Sequence, residues 1–133
     1  MAALFIAASV RASAYCSDTD AARAIRIVYT IGTWENLNSY VRKYRDCDDG
    51  AVAEGNSDRV ADLLARRWDT IGALVELTNG DPRFERFVLY HVDSLMRPVQ
   101  AQAILDNVRN HCPADAAELC RKIEKEVLAS TKQ

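Results

Sequence analysis

The sequence predicts an all-α fold: a single compact bundle of five to six helices stapled by two disulfides. Three observations support this prediction. Apolar residues recur at every third or fourth position along most of the chain, which is the spacing of one face of a helix. No stretch alternates apolar and polar residues over the length of a strand. The cysteines number four, an even set, as in a chain whose cysteines are paired.

The N-terminal residues have the pattern of an export signal. An apolar run from Ala2 to Val10 precedes Ala12-Ser13-Ala14, the small-x-small pattern at which signal peptidases cleave. We therefore expect residues 1–14 to be a partial signal peptide cleaved after Ala14, and residues 15–133 to form one helical domain. The predicted location is periplasmic or secreted, and paired cysteines agree with it.

The charge of the chain argues against two classes of partner. Cleavage would remove one charged side chain, Arg11, and change the formal charge from -2 to -3. Acidic and basic residues are interspersed, so the sequence has no basic patch for nucleic acid or an anionic membrane surface. No stretch after the N-terminus approaches the ~18 apolar residues of a membrane span.

The first two helices are predicted to form an antiparallel hairpin. Ser17 can cap a helix that ends before Gly32, and Thr33 can cap a second one that continues to about Arg45. Cys16 precedes the first helix and Cys47 follows the second. Because an antiparallel pair brings these two ends together, we predict a Cys16–Cys47 disulfide.

Four further helices are predicted after this hairpin. The longest runs from Ser57, or from Ala51 if Ser57 is not a cap, to Gly80. Asp81-Pro82 and Pro98 each have the form of a helix start, and the last helix begins near Asp115. Trp68 is expected in the core, and Trp34, beside a turn, is expected to be the more exposed tryptophan.

The second disulfide is predicted to join Cys112 to Cys120. On one continuous helix their eight-residue separation would be ~12 Å, which is too long for a bridge. Pro113 supplies the necessary bend, so this disulfide would staple the last two helices. Neither histidine lies at zinc-site spacing from two cysteines, and we predict no metal site.

The acidic stretch from Arg45 to Val60 partly resembles a calcium loop. It places carboxylates before and after Gly50. The calcium-binding loop requires glycine at its sixth position and glutamate at its twelfth, and this stretch has neither spacing. We interpret it as a polar turn after Cys47, and we expect no metal and no cofactor.

One candidate polar cluster emerges, formed by Glu54, Asp58 and His91. His91 falls on the apolar side of its predicted helix, so it needs hydrogen-bond partners, and Glu54 is a carboxylate that can fix its tautomer. Two residues away, Asp93 cannot share the face of His91 on a helix and is expected to pair with Arg97. The favoured interpretation is a satisfied core histidine rather than a catalytic one.

The sequence contains no GxSxG, glycine-rich phosphate loop, HExxH or reactive-thiol motif. A small exported helical chain without a catalytic signature is typical of a binding module, and our hypothesis is a non-enzyme that acts by protein–protein contact, similar in class to inhibitors and immunity proteins. A homodimer is an alternative arrangement. The rival hypothesis is a periplasmic hydrolase or metal-binding protein that uses Glu54, Asp58 and His91.

Overall fold

The computed structural model describes residues 15–132, and every regular element in that range is helical. Seven α-helices follow one another along the chain: α1 (Asp18–Val28), α2 (Trp34–Tyr44), α3 (Gly50–Arg66), α4 (Ile71–Gly80), α5 (Pro82–Tyr90), α6 (Pro98–Asn110) and α7 (Ala117–Ser130). The all-α prediction is confirmed. The predicted signal peptide, residues 1–14, lies outside the described residues.

The predicted count of five to six helices and the description as a bundle are wrong in detail. The longest predicted helix is two helices, α3 and α4, separated by a 3₁₀ turn at Trp68–Thr70. The indole Nε1 of Trp68 donates to the His111 carbonyl at 2.9 Å, and the Thr70 hydroxyl donates to the Arg67 carbonyl. These polar contacts stabilise the break between α3 and α4. The apolar pattern of the sequence continues across this break and does not reveal it. The described residues therefore form seven α-helices rather than the predicted bundle of five to six.

The hairpin of α1 and α2 has the predicted form. The Ser17 and Thr33 side chains accept hydrogen bonds from the backbone of the first turns of α1 and α2. A disulfide joins Cys16 to Cys47, with their Cα atoms 4.8 Å apart. This pairing confirms that the two outer ends of the hairpin meet.

The second disulfide, Cys112–Cys120, also matches the prediction. Pro113 and a 3₁₀ turn separate α6 from α7, so the two cysteines do not lie on one helix. Their Cα atoms are 6.4 Å apart, within the range that a disulfide spans.

Helix α3 lies against both α1 and α6, while α2 packs on α4, and α7 packs on α5 and α6. Gly55 permits the contact between α3 and α1, because a β-carbon there would lie 2.6 Å from Cγ1 of Val28.

Trp34 is only 1% exposed, whereas Trp68 is partly exposed. The sequence-based assignment of the two tryptophans was therefore wrong: the ring of Trp34 folds into the core at the start of α2.

Within residues 15–132 no helix combines the length and the apolar composition needed to span a bilayer.

Candidate functional site

A buried chain of hydrogen bonds passes through His91. Its Nε2 lies 2.8 Å from Oδ2 of Asp48, and its Nδ1 lies 2.8 Å from the hydroxyl of Ser57. The same hydroxyl donates to Oδ2 of Asp93 at 2.6 Å. The order of groups is thus carboxylate, imidazole, hydroxyl and carboxylate. We call these four residues the His91 network.

Three separate segments bring the His91 network together. Asp48 directly follows the disulfide-bonded Cys47, and Ser57 lies within α3. His91 is the C-cap of α5, where its backbone N–H bonds to carbonyls of the last turn. Asp93 lies in the turn that follows, and its Oδ1 accepts from the backbone N–H of Leu95 at 2.9 Å. The disulfide at Cys47, helix α3 and the C-terminal end of α5 therefore hold the four side chains in place.

The geometry of the network requires three hydrogens for its three contacts. Ser57 supplies one, and a neutral imidazole supplies one. An ionised carboxylate can only accept, so Nε2 donates to Asp48 and the Ser57 hydroxyl donates to Asp93. The remaining contact, between Nδ1 and the hydroxyl, then needs a third hydrogen. The hydroxyl and a neutral imidazole thus supply the hydrogens of the two contacts to carboxylates.

Asp48 is the charged end of the network that faces an open cavity. Burial raises the pKa of its carboxyl group, but hydrogen bonds from His91 and Asn56 and the charge of His91 outweigh burial and bring the pKa below the ordinary value of 3.8. The Asn56 amide donates to Oδ1 at 2.8 Å, so both oxygens of Asp48 are bound. Asp48 is therefore an ionised acceptor at neutral pH.

The centre of the network is closed to solvent. His91 is 1% exposed and Ser57 is 2% exposed. The rings of Phe87 and Tyr90 lie 4.5 Å and 5.1 Å from the imidazole, measured between centroids. A nucleophile or base needs contact with its substrate, and here the Ser57 hydroxyl already contacts both His91 and Asp93. The arrangement is that of a satisfied polar core.

The structure separates the three residues of the predicted cluster. Glu54 and Asp58 line a shallow cavity of about 190 Å³ beside Ser57, and neither side chain hydrogen-bonds to His91. Asp58 instead accepts from Arg59 at 2.6 Å. His91 belongs to the buried network, where its carboxylate partner is Asp48.

Sequence reasoning missed Asp48 and excluded Asp93. Asp48 lies 43 residues from His91, and its position after Cys47 was the available signal, since the staple fixes that point of the chain. Asp93 was excluded by helical spacing, but α5 ends at Tyr90, so that spacing does not apply. The predicted Asp93–Arg97 pair is accordingly replaced by contacts to Ser57 and to the Leu95 backbone.

A second feature, an open cavity of about 460 Å³, lies on the outer side of Asp48. Its lining includes three arginines, Arg45, Arg83 and Arg86, which form no salt bridge or side-chain hydrogen bond with any described residue. Four aromatic side chains also line the cavity: Tyr40, Tyr44, Phe87 and Tyr90. Tyr90 is 73% exposed. We call this feature the arginine cavity.

The comparisons add no family to this description. No family model, curated protein or solved structure matches the chain. Within residues 15–132, moreover, no three side chains among His, Cys, Asp and Glu are grouped as metal ligands. Function must therefore be inferred from the two sites themselves.

Proposed function

We propose that the protein is an exported α-helical binding module that acts by protein–protein contact, in the manner of an inhibitor or immunity protein. One observation carries the proposal: the arginine cavity combines three arginines that lack ionic partners among the described residues with a strongly exposed tyrosine. Arginine and tyrosine are enriched among the residues that dominate binding energy at protein interfaces. The cavity and its rim are therefore the proposed contact surface.

Export is supported by the two disulfides. Cytosolic reductants keep most thiols reduced, whereas disulfides persist in the periplasm and outside the cell. All four cysteines of this chain are paired, and each pair closes a helical hairpin. A periplasmic or secreted location is part of the proposal.

The rival function, a hydrolase, has one observation in its favour. Asp48, His91 and Ser57 are hydrogen-bonded in the order orienting acid, base and nucleophile. Against it, Ser57 lies inside α3, is almost fully buried, and donates its hydrogen bond to Asp93. Because this hydroxyl is buried and bound on both sides, we favour binding.

Site-directed photo-crosslinking tests the proposed contact surface. A benzophenone amino acid would replace Tyr90 on the rim, or Val99, which is 69% exposed and does not line the arginine cavity. The disulfide-bonded protein, produced in its source cells, should give a discrete crosslinked protein from position 90 and not from position 99. Equal labelling at both positions, or no crosslink together with a hydrolytic activity that Ser57→Ala abolishes, would refute the proposal.

A further inference from the structure

The arginine cavity has a charge opposite to that of the chain. It is lined by three guanidinium groups and one carboxylate, that of Asp48, whereas the whole chain has a formal charge of -2. Both oxygens of Asp48 are already bound by His91 and Asn56. The uncompensated charge on this surface is therefore positive and comes from the arginines.

The three arginines come from two elements that meet at the cavity. Arg83 and Arg86 are three residues apart on α5, so they lie on the same side of that helix. Arg45 directly follows α2. Some arginines elsewhere, such as Arg59, Arg66 and Arg109, have acidic partners within the chain. Arg23 and Arg26 on α1 have none among the described residues, but they do not line this cavity, so what distinguishes Arg45, Arg83 and Arg86 is that they lie around one cavity. An anionic group bound in the cavity would give Arg45, Arg83 and Arg86 the ionic partners that the described part of the fold does not provide.

We infer that the arginine cavity binds an acidic segment of the protein partner, with aspartate or glutamate carboxylates held by Arg45, Arg83 and Arg86. This inference rests on the proposed function and names the chemistry of its partner. The guanidinium fork matches a carboxylate with two parallel hydrogen bonds, which gives both strength and orientation.

The walls of the cavity favour a peptide over a free inorganic anion. A volume of about 460 Å³ falls in the range of sites that enclose organic ligands, and a small anion would fill little of it. Tyr44, Phe87 and Tyr90 provide aromatic surface that an inorganic anion cannot use. Side-chain and main-chain atoms of a peptide can pack against these rings while its carboxylates reach the arginines.

Fluorescence anisotropy with a labelled hexaglutamate peptide tests the inference, with a hexaglutamine peptide carrying the same label as the probe control. The ionic strength would be about 0.01 M, where charges act over about 30 Å. The disulfide-bonded protein should bind hexaglutamate and not hexaglutamine. Exposed ion pairs contribute about 0.2 to 1 kcal/mol each, so the loss of two in R83Q/R86Q should weaken binding by up to about thirtyfold.

The chain provides a matched control variant. Arg23 and Arg26 are also three residues apart, lie exposed on α1 and do not line the arginine cavity. R23Q/R26Q removes the same charge but no arginine of the cavity, so it should leave hexaglutamate binding within about twofold of the unmodified protein. Thermal unfolding of both double variants verifies that each is folded.

Three results would overturn the inference: no hexaglutamate binding, equal loss in the two double variants, or tighter binding of inorganic phosphate than of the peptide. The second indicates attraction by total charge, and the third indicates a small-anion site. The crosslinking experiment distinguishes failure of this inference from failure of the proposed function. A partner captured from position 90 without any affinity for hexaglutamate would leave the binding module intact and exclude only its acidic partner.

Discussion

At the scale of single residues, His91 is the central side chain of a buried polar network. It is buried between Asp48 and Ser57, and Ser57 in turn binds Asp93. Removing one member of such a network leaves the others buried without partners, which costs more than the net value of the bonds themselves. The free energy of unfolding should therefore respond strongly to substitution here.

We expect His91→Gln to lower the free energy of unfolding by about 3 kcal/mol, because glutamine cannot reach both Asp48 and Ser57 with the imidazole geometry. Urea denaturation of the disulfide-bonded protein measures this. His111→Gln is the control, since the His111 side chain is 61% exposed and its neighbour Asp106 lies 3.7 Å away; it should change stability by less than about 0.5 kcal/mol. Equal effects of the two substitutions would contradict the role of the network.

The Asp48 carboxyl gives stability a specific dependence on acid. Its pKa in the folded protein lies below the ordinary value of 3.8, so the folded state favours the ionised form. This contribution is fully present above pH 3.8 and is lost as the pH falls through the lower pKa of the folded state. Denaturation curves across that acidic range should show stability falling with pH, and Asp48→Asn should make this part of the profile shallower. An unchanged slope would show that other carboxyl groups control acid unfolding.

At the scale of elements, the contact between α1 and α3 depends on the absence of a side chain at Gly55. A β-carbon at this position would lie 2.6 Å and 3.2 Å from the two γ-carbons of Val28, which is itself fully buried. Val28 is β-branched and stiff, so it cannot turn away without moving a helix. The close approach of these two helices therefore requires glycine, although glycine is a poor helix former.

We expect Gly55→Ala to destabilise the protein by about 1 to 3 kcal/mol, because the overpacking exceeds the gain in helix propensity. Gly72→Ala is the matched control: Gly72 lies in α4, and a β-carbon added there would have no neighbouring atom of the described residues within 4 Å. That substitution should be neutral or stabilising by up to about 1 kcal/mol. Thermal unfolding compares the two, and a Gly55→Ala variant as stable as Gly72→Ala would refute the close-packing argument.

At the scale of the whole molecule, the two disulfides close loops of very different length. Their sequence separations are 31 and 8 residues, for which the loop-closure model gives about 3.7 and about 2.5 kcal/mol of stabilisation. Together these amount to about 6 kcal/mol, which is comparable to the entire stability of many small domains, about 5 to 15 kcal/mol. The first disulfide also anchors Asp48 next to the buried imidazole.

Reduction of both disulfides should therefore lower the melting temperature sharply, and the two bridges should contribute unequally. We expect Cys16→Ser/Cys47→Ser to cost about 1 kcal/mol more than Cys112→Ser/Cys120→Ser, from the difference in loop entropy. Circular dichroism during thermal unfolding, with and without reductant, measures both effects. A reduced protein as stable as the oxidised one would remove the main support for folding in an oxidising compartment.

The predicted and observed folds agree where the determining interactions are local. Ser17 and Thr33 cap their own helices through contacts three residues away, and Pro113 ends a helix through its own geometry. The prediction of one long helix failed at Trp68, because the hydrogen bond that stabilises the break is made to His111, 43 residues along the chain. Periodicity carries no information about such a contact.

The sequence by itself determined the helical class, most helix starts and the pairing of the cysteines, since these follow from spacing, capping and the antiparallel return of short hairpins. Only the tertiary structure decided that Asp48 rather than Glu54 meets His91, and that Arg45 joins Arg83 and Arg86 around one cavity. The physical reason is the distance along the chain. These side chains meet through the packing of helices whose relative positions depend on many contacts at once, and no local pattern records the sum of those contacts.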